Sequence, residues 1–307
     1  MTPMRVAFAG SPEAAVAPLR ALAASPHEIS VVVTQPDRAR GRTRRPSPTP
    51  VGAAAEELGI PVLRPATIND PEVVAEIAAG GAEALVVVAF GQILRDAVLG
   101  RWPCINVHFS LLPAYRGAAP VERAIMDGVE LTGVTIMFME AGLDTGPVIS
   151  AEATPIADDE DAGSLVARLS DMGGPMLVRA LDDLSAGRLV SVPQPDEGVS
   201  LAPKITAEDR VIDLTRPAPE LARRVRALSP HIGAVARVGG EPFKIWSARA
   251  LPEGAPSGLS ARDGRLVAGC GEGSLEVLEL QPPGRGRMDA ASFLRGWRGS
   301  LEWGDAG

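Results

Sequence analysis

Three polar side chains in the middle of the chain have the types and spacing that could do chemistry. Asn106 and His108 are separated by one residue in the otherwise apolar run Cys104–His108, which we predict to be a strand. Residues i and i+2 of a strand point to the same face, so the amide and the imidazole would converge on one site. Asp144 lies between two glycines in the run Gly142–Gly146, which predicts a tight turn that presents one carboxylate.

An amide, an imidazole and a carboxylate together suit acyl or one-carbon transfer to an amine. Asn106 could hydrogen-bond a carbonyl oxygen as it becomes an oxyanion. His108 could stabilise that oxyanion or protonate the leaving nitrogen. Asp144 could orient and charge His108, or help to take the proton from the attacking amine. Serine and cysteine nucleophiles are not needed, because the amine attacks directly.

These side chains also have purely structural interpretations. A strand histidine can be a satisfied core residue, an aspartate in a glycine turn can serve the turn alone, and periodicity does not show that Asp144 meets His108. The three histidines, His27, His108 and His231, do not cluster in the sequence, so we expect no metal site.

A strongly basic segment, Gln35–Pro50, lies between two apolar elements. Its prolines and Gly41 predict neither helix nor strand. One interpretation is a solvated loop, and the other is a phosphate contact, since arginine forms bidentate bonds to phosphate. Five arginines fall within eight residues of it: Arg38, Arg40, Arg42, Arg44 and Arg45.

The order of apolar and helical segments predicts an α/β domain with a doubly wound, Rossmann-like and mostly parallel sheet. Strands without polar alternation are buried on both faces, as in parallel sheets covered by helices. Gly10-Ser11-Pro12 follows the first strand, where open α/β sheets bind ligands, although a plain tight turn would look the same. We predict strands at Arg5–Gly10, Ile29–Thr34, Pro61–Leu63 and Ala84–Ala89, a late antiparallel pair at Thr132–Met139 and Pro147–Ile156, and helices at Glu13–Ala24, Val51–Leu58, Pro71–Ala79 and Ala162–Ala186.

A second domain is predicted after a proline-rich stretch without periodicity. We divide the chain into a catalytic domain at 1–187, a linker at 188–206 and a small C-terminal β-barrel domain at 207–307. That last part combines the helix Pro217–Leu228 with short strands at 233–238, 242–250, 264–268 and 274–281, and Ala290–Trp297 could cap the barrel.

Length and composition exclude several classes of protein. The chain has 307 residues, 46% of them hydrophobic, which excludes intrinsic disorder and is enough for two domains. A net charge of −8 excludes a globally basic nucleic-acid binder, although residues 208–307 carry +1. Cys104 and Cys270 do not suggest a disulfide scaffold. We expect no membrane span and no secretory signal, and therefore a cytoplasmic protein.

The motifs resemble the methionyl-tRNA formyltransferase family in order and spacing, from Met4 to about Trp297. The matching segments are Phe8–Pro12 (FAGSP), Thr34–Arg38 (TQPDR), Asn106–His108 (NVH), Ser110–Pro113 (SLLP) and Gly142–Gly146 (GLDTG). The resemblance implies transfer of the formyl group of 10-formyltetrahydrofolate to the methionyl amine of initiator Met-tRNA. It also implies an OB-like C-terminal barrel, no metal, and, we expect, a monomer.

The resemblance further implies roles for individual residues. The reactive end of the folate would lie beside Asn106, His108 and Asp144, and the basic loop with the C-terminal domain would contact tRNA. The implied folate contacts are the wall Ser110, Leu111, Leu112 and Pro113 and the pteridine contacts Phe90, Gly91 and Gln92.

Other functions remain open at this level. A sugar-nucleotide formyltransferase acting on 4-amino sugars would share the folate core but not the arginine-rich loop. A formyltetrahydrofolate hydrolase would carry an N-terminal regulatory domain, and a glycinamide-ribonucleotide formyltransferase would not need residues 208–307. A non-catalytic RNA-binding module would leave Asn106, His108 and Asp144 without a purpose.

Overall fold

A computed structural model describes residues 2–39, 46–256, 258–262 and 264–304. The strands, in chain order, are β1 (Arg5–Gly10), β2 (Glu28–Val33), β3 (Arg38–Ala39), β4 (Pro46–Ser47), β5 (Val62–Leu63), β6 (Ala84–Val88), β7 (Cys104–His108), β8 (Arg116–Gly117), β9 (Leu131–Phe138), β10 (Val148–Pro155), β11 (Leu201–Ala202), β12 (Ala234–Val238), β13 (Glu241–Leu251), β14 (Gly258–Arg262), β15 (Arg265–Gly269), β16 (Ser274–Gln281), β17 (Met288–Asp289) and β18 (Trp303–Gly304). The α-helices are α1 (Val16–Ala23), α2 (Pro50–Glu57), α3 (Pro71–Ala79), α4 (Asp96–Leu99), α5 (Pro120–Asp127), α6 (Ala162–Ser185), α7 (Ala218–Ala227) and α8 (Ala290–Gly296).

The chain forms two compact units. Unit 1 comprises Met1–Pro120, Leu131–Pro155 and Val166–Ala202, and unit 2 comprises Val121–Glu130, Ile156–Leu165 and Pro203–Gly307. The second unit therefore includes two segments, 121–130 and 156–165, that precede residue 187. Our division at 1–187, 188–206 and 207–307 stays a prediction.

The main sheet of unit 1 is mostly parallel, as the apolar strands predict. Its strand order is β10-β9-β7-β6-β1-β2-β5. Neighbouring strands from β7 to β5 pair in parallel, whereas β9 pairs antiparallel with both of its neighbours, β7 and β10. Strands β6 and β7 are buried along their whole length, which explains why they lack polar alternation. The Rossmann-like fold and the late antiparallel pair are thus confirmed.

Three parallel strands end at the same edge of this sheet. β1 ends at Gly10, β6 at Val88 and β7 at His108, so the loops that follow them share the carboxyl edge where α/β sheets bind ligands. A Cβ atom at Gly10 would lie 2.9 Å from the Phe8 ring and 3.0 Å from the Val88 carbonyl oxygen. Glycine therefore allows β1 to end close against β6.

Unit 2 contains an antiparallel sheet with the order β14-β15-β16-β13-β12-β18. The end strands β14 and β18 contact each other, so the sheet forms a curled half-barrel that is consistent with the expected OB-like form. Phe243 of β13 makes edge contacts with Phe293 and Trp297 at centroid distances of 5.7 and 5.4 Å. Strand β14 was not predicted, because Leu259 is its one buried apolar side chain and gives no pattern.

The basic loop is partly a strand pair, so our expectation of no strand there was wrong. Arg38–Ala39 pairs antiparallel with Pro46–Ser47. This pairing uses backbone groups, and proline is tolerated at the first residue of a strand. The predicted tRNA contacts Arg40, Arg42, Arg44 and Arg45 lie outside the described residues.

The proline-rich stretch after α6 is hydrogen-bonded along unit 1. Val192 exchanges two backbone hydrogen bonds of 2.8 Å with Val148 of β10. Further on, β11 pairs in parallel with β8. Within the described part of the chain, every helix is too short or too polar to cross a membrane.

Candidate active site

His108 ends strand β7 and is 6% exposed. Its Nε2 atom lies 2.9 Å from the carbonyl oxygen of Tyr115. A carbonyl can only accept, so Nε2 carries a hydrogen. The other ring nitrogen, Nδ1, lies 3.8 Å from Oδ2 of Asp144. That distance is too long for a hydrogen bond but suits an ion pair when the imidazole is protonated.

Asp144 lies in the turn between β9 and β10 with a positive φ of 50°. Its Oδ2 accepts a 2.8 Å hydrogen bond from the backbone N–H of Gly117 in β8. A Cβ at Gly117 would lie 2.6 Å from the Ala202 carbonyl oxygen, so only glycine lets β8 approach β11 this closely. The structure thus brings Asp144 to His108, which periodicity alone did not show.

Asn106 is 8% exposed and lies on the same face of β7 as His108. Among the described residues, its side-chain amide has no hydrogen-bond partner, although its backbone pairs within the sheet. Within the described part of the chain, the Thr132 hydroxyl is the one fully buried side-chain polar atom without a partner, so the unpaired amide atoms of Asn106 reach solvent. The amide is therefore open to a ligand on this face of β7.

The predicted folate wall, Ser110–Pro113, follows β7 directly. The hydroxyl of Ser110 donates to the Ala114 carbonyl at 2.6 Å. Thr135 of β9 binds the segment at two points: its hydroxyl donates to the Ser110 carbonyl at 2.7 Å and accepts from the Leu112 N–H at 3.1 Å. The segment is therefore held by hydrogen bonds beside Asn106 and His108.

The predicted pteridine contacts follow β6 at the same edge. Phe90 and Gly91 line a cavity of about 310 Å³ together with Ser11, Pro12 and other loop residues. The Phe90 carbonyl accepts hydrogen bonds from Ser11 Oγ at 3.3 Å and from Gln35 Nε2 at 3.0 Å. Gly10-Ser11-Pro12 therefore helps to shape this edge.

The side chain of Gln92 is directed into the fold and does not line that cavity. Its Oε1 accepts from the Ile68 N–H at 2.8 Å, and its Nε2 donates to the Pro65 carbonyl at 3.4 Å. Both ends of the amide are thus occupied by backbone groups, so any ligand contact at Gln92 would use the backbone.

The thiol closest to the site in sequence is not reactive. Burial raises the pKa of the Cys104 thiol to about 12, so it carries no thiolate at neutral pH. Among the described residues, no group of three His, Cys, Asp or Glu side chains is placed to hold a metal ion.

Sequence reasoning noted Tyr115, Arg116 and Gly117 but assigned no role to the residues that hold this site together. Tyr115, Arg116 and Gly117 follow the SLLP segment, and Gln194 lies in the proline-rich stretch, where no periodicity marks it. Gln194 contacts both Arg116 and the Asp144 turn. These contacts join segments far apart in the chain, and no local pattern encodes them.

Comparison with known proteins decides the family. A formyl transferase family model matches residues 4–181, and a model of the formyl transferase C-terminal domain matches residues 204–298. The methionyl-tRNA formyltransferase of Ruegeria pomeroyi is 46% identical over 296 residues, which cover 96% of this chain and 97% of that protein. The chain belongs to the methionyl-tRNA formyltransferase family. The Halorhodospira halophila methionyl-tRNA formyltransferase is 45% identical and covers 96% of each chain.

More distant solved structures share the fold with this family member. HypX from Aquifex aeolicus, solved in complex with tetrahydrofolic acid, superposes with a TM-score of 0.69 at 18% identity, covering 99% of this chain and 51% of that chain. An N-formyltransferase from Helicobacter canadensis, solved with folinic acid and dTDP-3-aminofucose, has a TM-score of 0.65 at 17% identity, covering 89% and 98%. At these identities the likeness concerns the fold.

Proposed function

We propose that this chain transfers the formyl group of 10-formyltetrahydrofolate to the α-amino group of methionine on initiator Met-tRNA. The observation that carries the proposal is the unpartnered Asn106 amide on the same strand face as His108, whose Nδ1 lies 3.8 Å from Asp144. Relatives 43–47% identical over about 96% of the chain bear the name methionyl-tRNA formyltransferase, which supports this choice of substrate.

In the reaction, the neutral methionyl amine attacks the formyl carbon, and a C–N bond forms. The formyl oxygen becomes an oxyanion, which the Asn106 amide stabilises by donating a hydrogen bond. The tetrahedral intermediate then collapses, and the bond between the formyl carbon and N10 of the folate breaks. The products are formyl-methionyl-tRNA and tetrahydrofolate.

One proton must move from the attacking amine to the leaving N10. His108 and Asp144 are the titratable pair beside the reacting atoms. Because Nε2 of His108 is engaged by the Tyr115 carbonyl, Nδ1 is the ring nitrogen that can exchange a proton. The Asp144 carboxylate stabilises the imidazolium and the developing ammonium.

The folate lies, in this proposal, along the carboxyl edge of the sheet. Ser110, Leu111, Leu112 and Pro113 form one wall, and Phe90, Gly91 and Gln92 contact the pteridine. The hydrogen bonds of the Ser110–Pro113 segment and the cavity at Phe90 and Gly91 support this placement. The Gln92 contribution would come from its backbone, since its side chain is already bonded.

The tRNA contacts would come from the arginine-rich loop, through Arg38, Arg40, Arg42, Arg44 and Arg45, and from residues 207–307. The rest of the first 207 residues is acidic on balance, so the loop provides a local cationic surface. A monomer that acts in the cytoplasm, where aminoacyl-tRNA is used, completes the proposal.

A competition assay tests the substrate. The protein is supplied with 10-formyltetrahydrofolate, charged initiator Met-tRNA and a 4-amino sugar nucleotide, and the Asn106→Ala variant serves as the control for site-dependent transfer. We expect formyl transfer to the methionyl amine. Transfer to the sugar alone would overturn the tRNA assignment and leave the roles of Asn106, His108 and Asp144 in place.

A further inference from the structure

The side-chain amide of Gln194 is fully hydrogen-bonded next to the proposed active site. Its Nε2 donates to the carbonyl oxygens of Asp144 and Gly146, each at 2.8 Å. Its Oε1 accepts from Nε and Nη2 of Arg116 at 3.0 and 2.7 Å. Both N–H donors and the carbonyl oxygen of the amide are thus used, which fixes its orientation.

The turn that carries Asp144 has little packing of its own. Gly142, Leu143 and Thr145 are exposed, and Leu143 has 63% of its surface in contact with solvent. Asp144 itself has the positive φ noted above, a conformation that side-chain-bearing residues rarely adopt without support. The two hydrogen bonds that Gln194 donates to the turn come from outside it and hold its backbone.

Arg116 stands between the two residues that contact the proposed catalytic pair. The residue before it, Tyr115, accepts from Nε2 of His108, and the residue after it, Gly117, donates to Oδ2 of Asp144. Gln194 joins Arg116 to the Asp144 backbone. This Arg116–Gln194 bridge therefore connects the Asp144 backbone to the segment whose backbone groups bind the His108 and Asp144 side chains.

We propose that Gln194, oriented by Arg116, is a positioning residue that sets the Asp144 carboxylate against His108. Gln194 touches the backbone of Asp144 and acts through it. Its part in the reaction rests on the proposed function, whereas its effect on the Asp144 turn does not.

Two substitutions test the bridge. Gln194→Glu keeps the acceptor for Arg116 but cannot donate to the two carbonyl oxygens, and Gln194→Leu removes donors and acceptor. Since small displacements of reacting groups are costly, we expect both variants to lower kcat by about 10-fold or more, with KM values for folate and tRNA within about twofold.

His27→Leu is the control. His27 is buried and directly precedes β2, at the amino edge of the sheet, away from the proposed site. Its Nδ1 accepts from the Met4 N–H at 3.1 Å, and its Nε2 lies 3.2 Å from Oδ1 of Asp182. The substitution there removes a comparable set of polar contacts within unit 1, and we expect kcat to stay at the wild-type value.

Two further readouts separate positioning from a general loss of structure. The first is the single-turnover rate of formyl transfer in an Asp144→Ala background. There Gln194→Leu should lower the rate by less than about twofold, because the effects of substituting residues that act as a unit are not additive. Hydrogen exchange should show faster exchange of the Gly117 amide in Gln194→Leu, because its acceptor Asp144 is released.

The outcomes are distinct. Wild-type kcat in both Gln194 variants, an additive loss in the Asp144→Ala background, or an unchanged Gly117 amide would each overturn the proposal. If the wild-type protein does not formylate Met-tRNA, the proposed function fails, and the exchange of the Gly117 amide still tests the bridge.

Discussion

Nδ1 of His108 lies 3.8 Å from Oδ2 of Asp144, although the two residues are 36 positions apart in the chain. Each is held from its other side by a backbone group, His108 by the Tyr115 carbonyl and Asp144 by the Gly117 N–H. The pair is therefore set by the short segment Tyr115–Gly117. In the proposed reaction, this pair accepts the proton that leaves the attacking amine and donates a proton to the leaving nitrogen.

Replacing Asn106 should remove most of the oxyanion stabilisation. We expect Asn106→Ala and Asn106→Asp each to lower kcat by roughly 100-fold or more, since a carboxylate cannot donate and alanine has no polar group. The measurement is formyl transfer at saturating substrates, with circular dichroism to show that the fold is retained. A variant of near wild-type rate would exclude this role for Asn106.

His108 and Asp144 should behave as one unit. We expect His108→Ala and Asp144→Asn each to lower kcat by roughly 100-fold or more, the usual scale for general acid–base loss. The double variant should be only slightly slower than the slower single variant, because residues that act together are not additive. Independent, additive losses in a double-mutant cycle would contradict the coupling.

The arginine-rich loop should control tRNA capture through charge. Replacing Arg38, Arg40 and Arg42 by alanine should weaken tRNA binding and flatten its dependence on salt, since each lost phosphate contact reduces the slope by about 0.9. Binding measured across a salt series checks this. Arg20→Ala is the control, because Arg20 is exposed and paired with Glu57. An unchanged slope in the triple variant would favour a merely solvated loop.

Glu276 should make the stability of the protein sensitive to acid. Hydrogen bonds from Arg265 and Arg249 hold the pKa of this buried carboxyl at about 2, below the ordinary value of 4.5. A carboxyl whose folded pKa is lowered contributes stability above its unfolded pKa and loses it as pH falls through the folded pKa. We therefore expect the free energy of unfolding to fall between about pH 5 and about pH 2.

The substitution Glu276→Gln isolates this contribution. It should lower the free energy of unfolding at neutral pH by about 1–3 kcal/mol and make the acid dependence shallower. The control Glu57→Gln alters the exposed pair with Arg20 and should change stability by less than about 0.5 kcal/mol. Denaturant titrations at several pH values check both, and equal acid sensitivity of Glu276→Gln and the wild type would refute the assignment.

Two threonines of β9 should respond oppositely to the same substitution. Among the described residues, the buried Thr132 hydroxyl has no hydrogen-bond partner, so Thr132→Val should raise the melting temperature. Thr135 bonds both Ser110 and Leu112, so Thr135→Val should cost about 1–3 kcal/mol. Calorimetry distinguishes the two, and a destabilised Thr132→Val would mean that its hydroxyl is satisfied in solution.

Local patterns predicted most of the regular structure. Apolar runs without alternation placed β1, β6 and β7, and the helix Pro71–Ala79 was predicted to the residue, since proline begins it and Asp70 caps it. The short strands β8, β11 and β14 were missed, because two to five residues with few buried apolar side chains give no periodic signal.

The sequence by itself determined which chemistry was available: an amide and an imidazole on one strand face, and a carboxylate in a glycine turn. Only the tertiary structure decided that Asp144 reaches His108 and that Gln194 holds the Asp144 turn through Arg116. Side-chain type and the period of a strand are local properties, whereas these contacts depend on how β7, β8 and the segment after α6 pack, which no short stretch of sequence encodes.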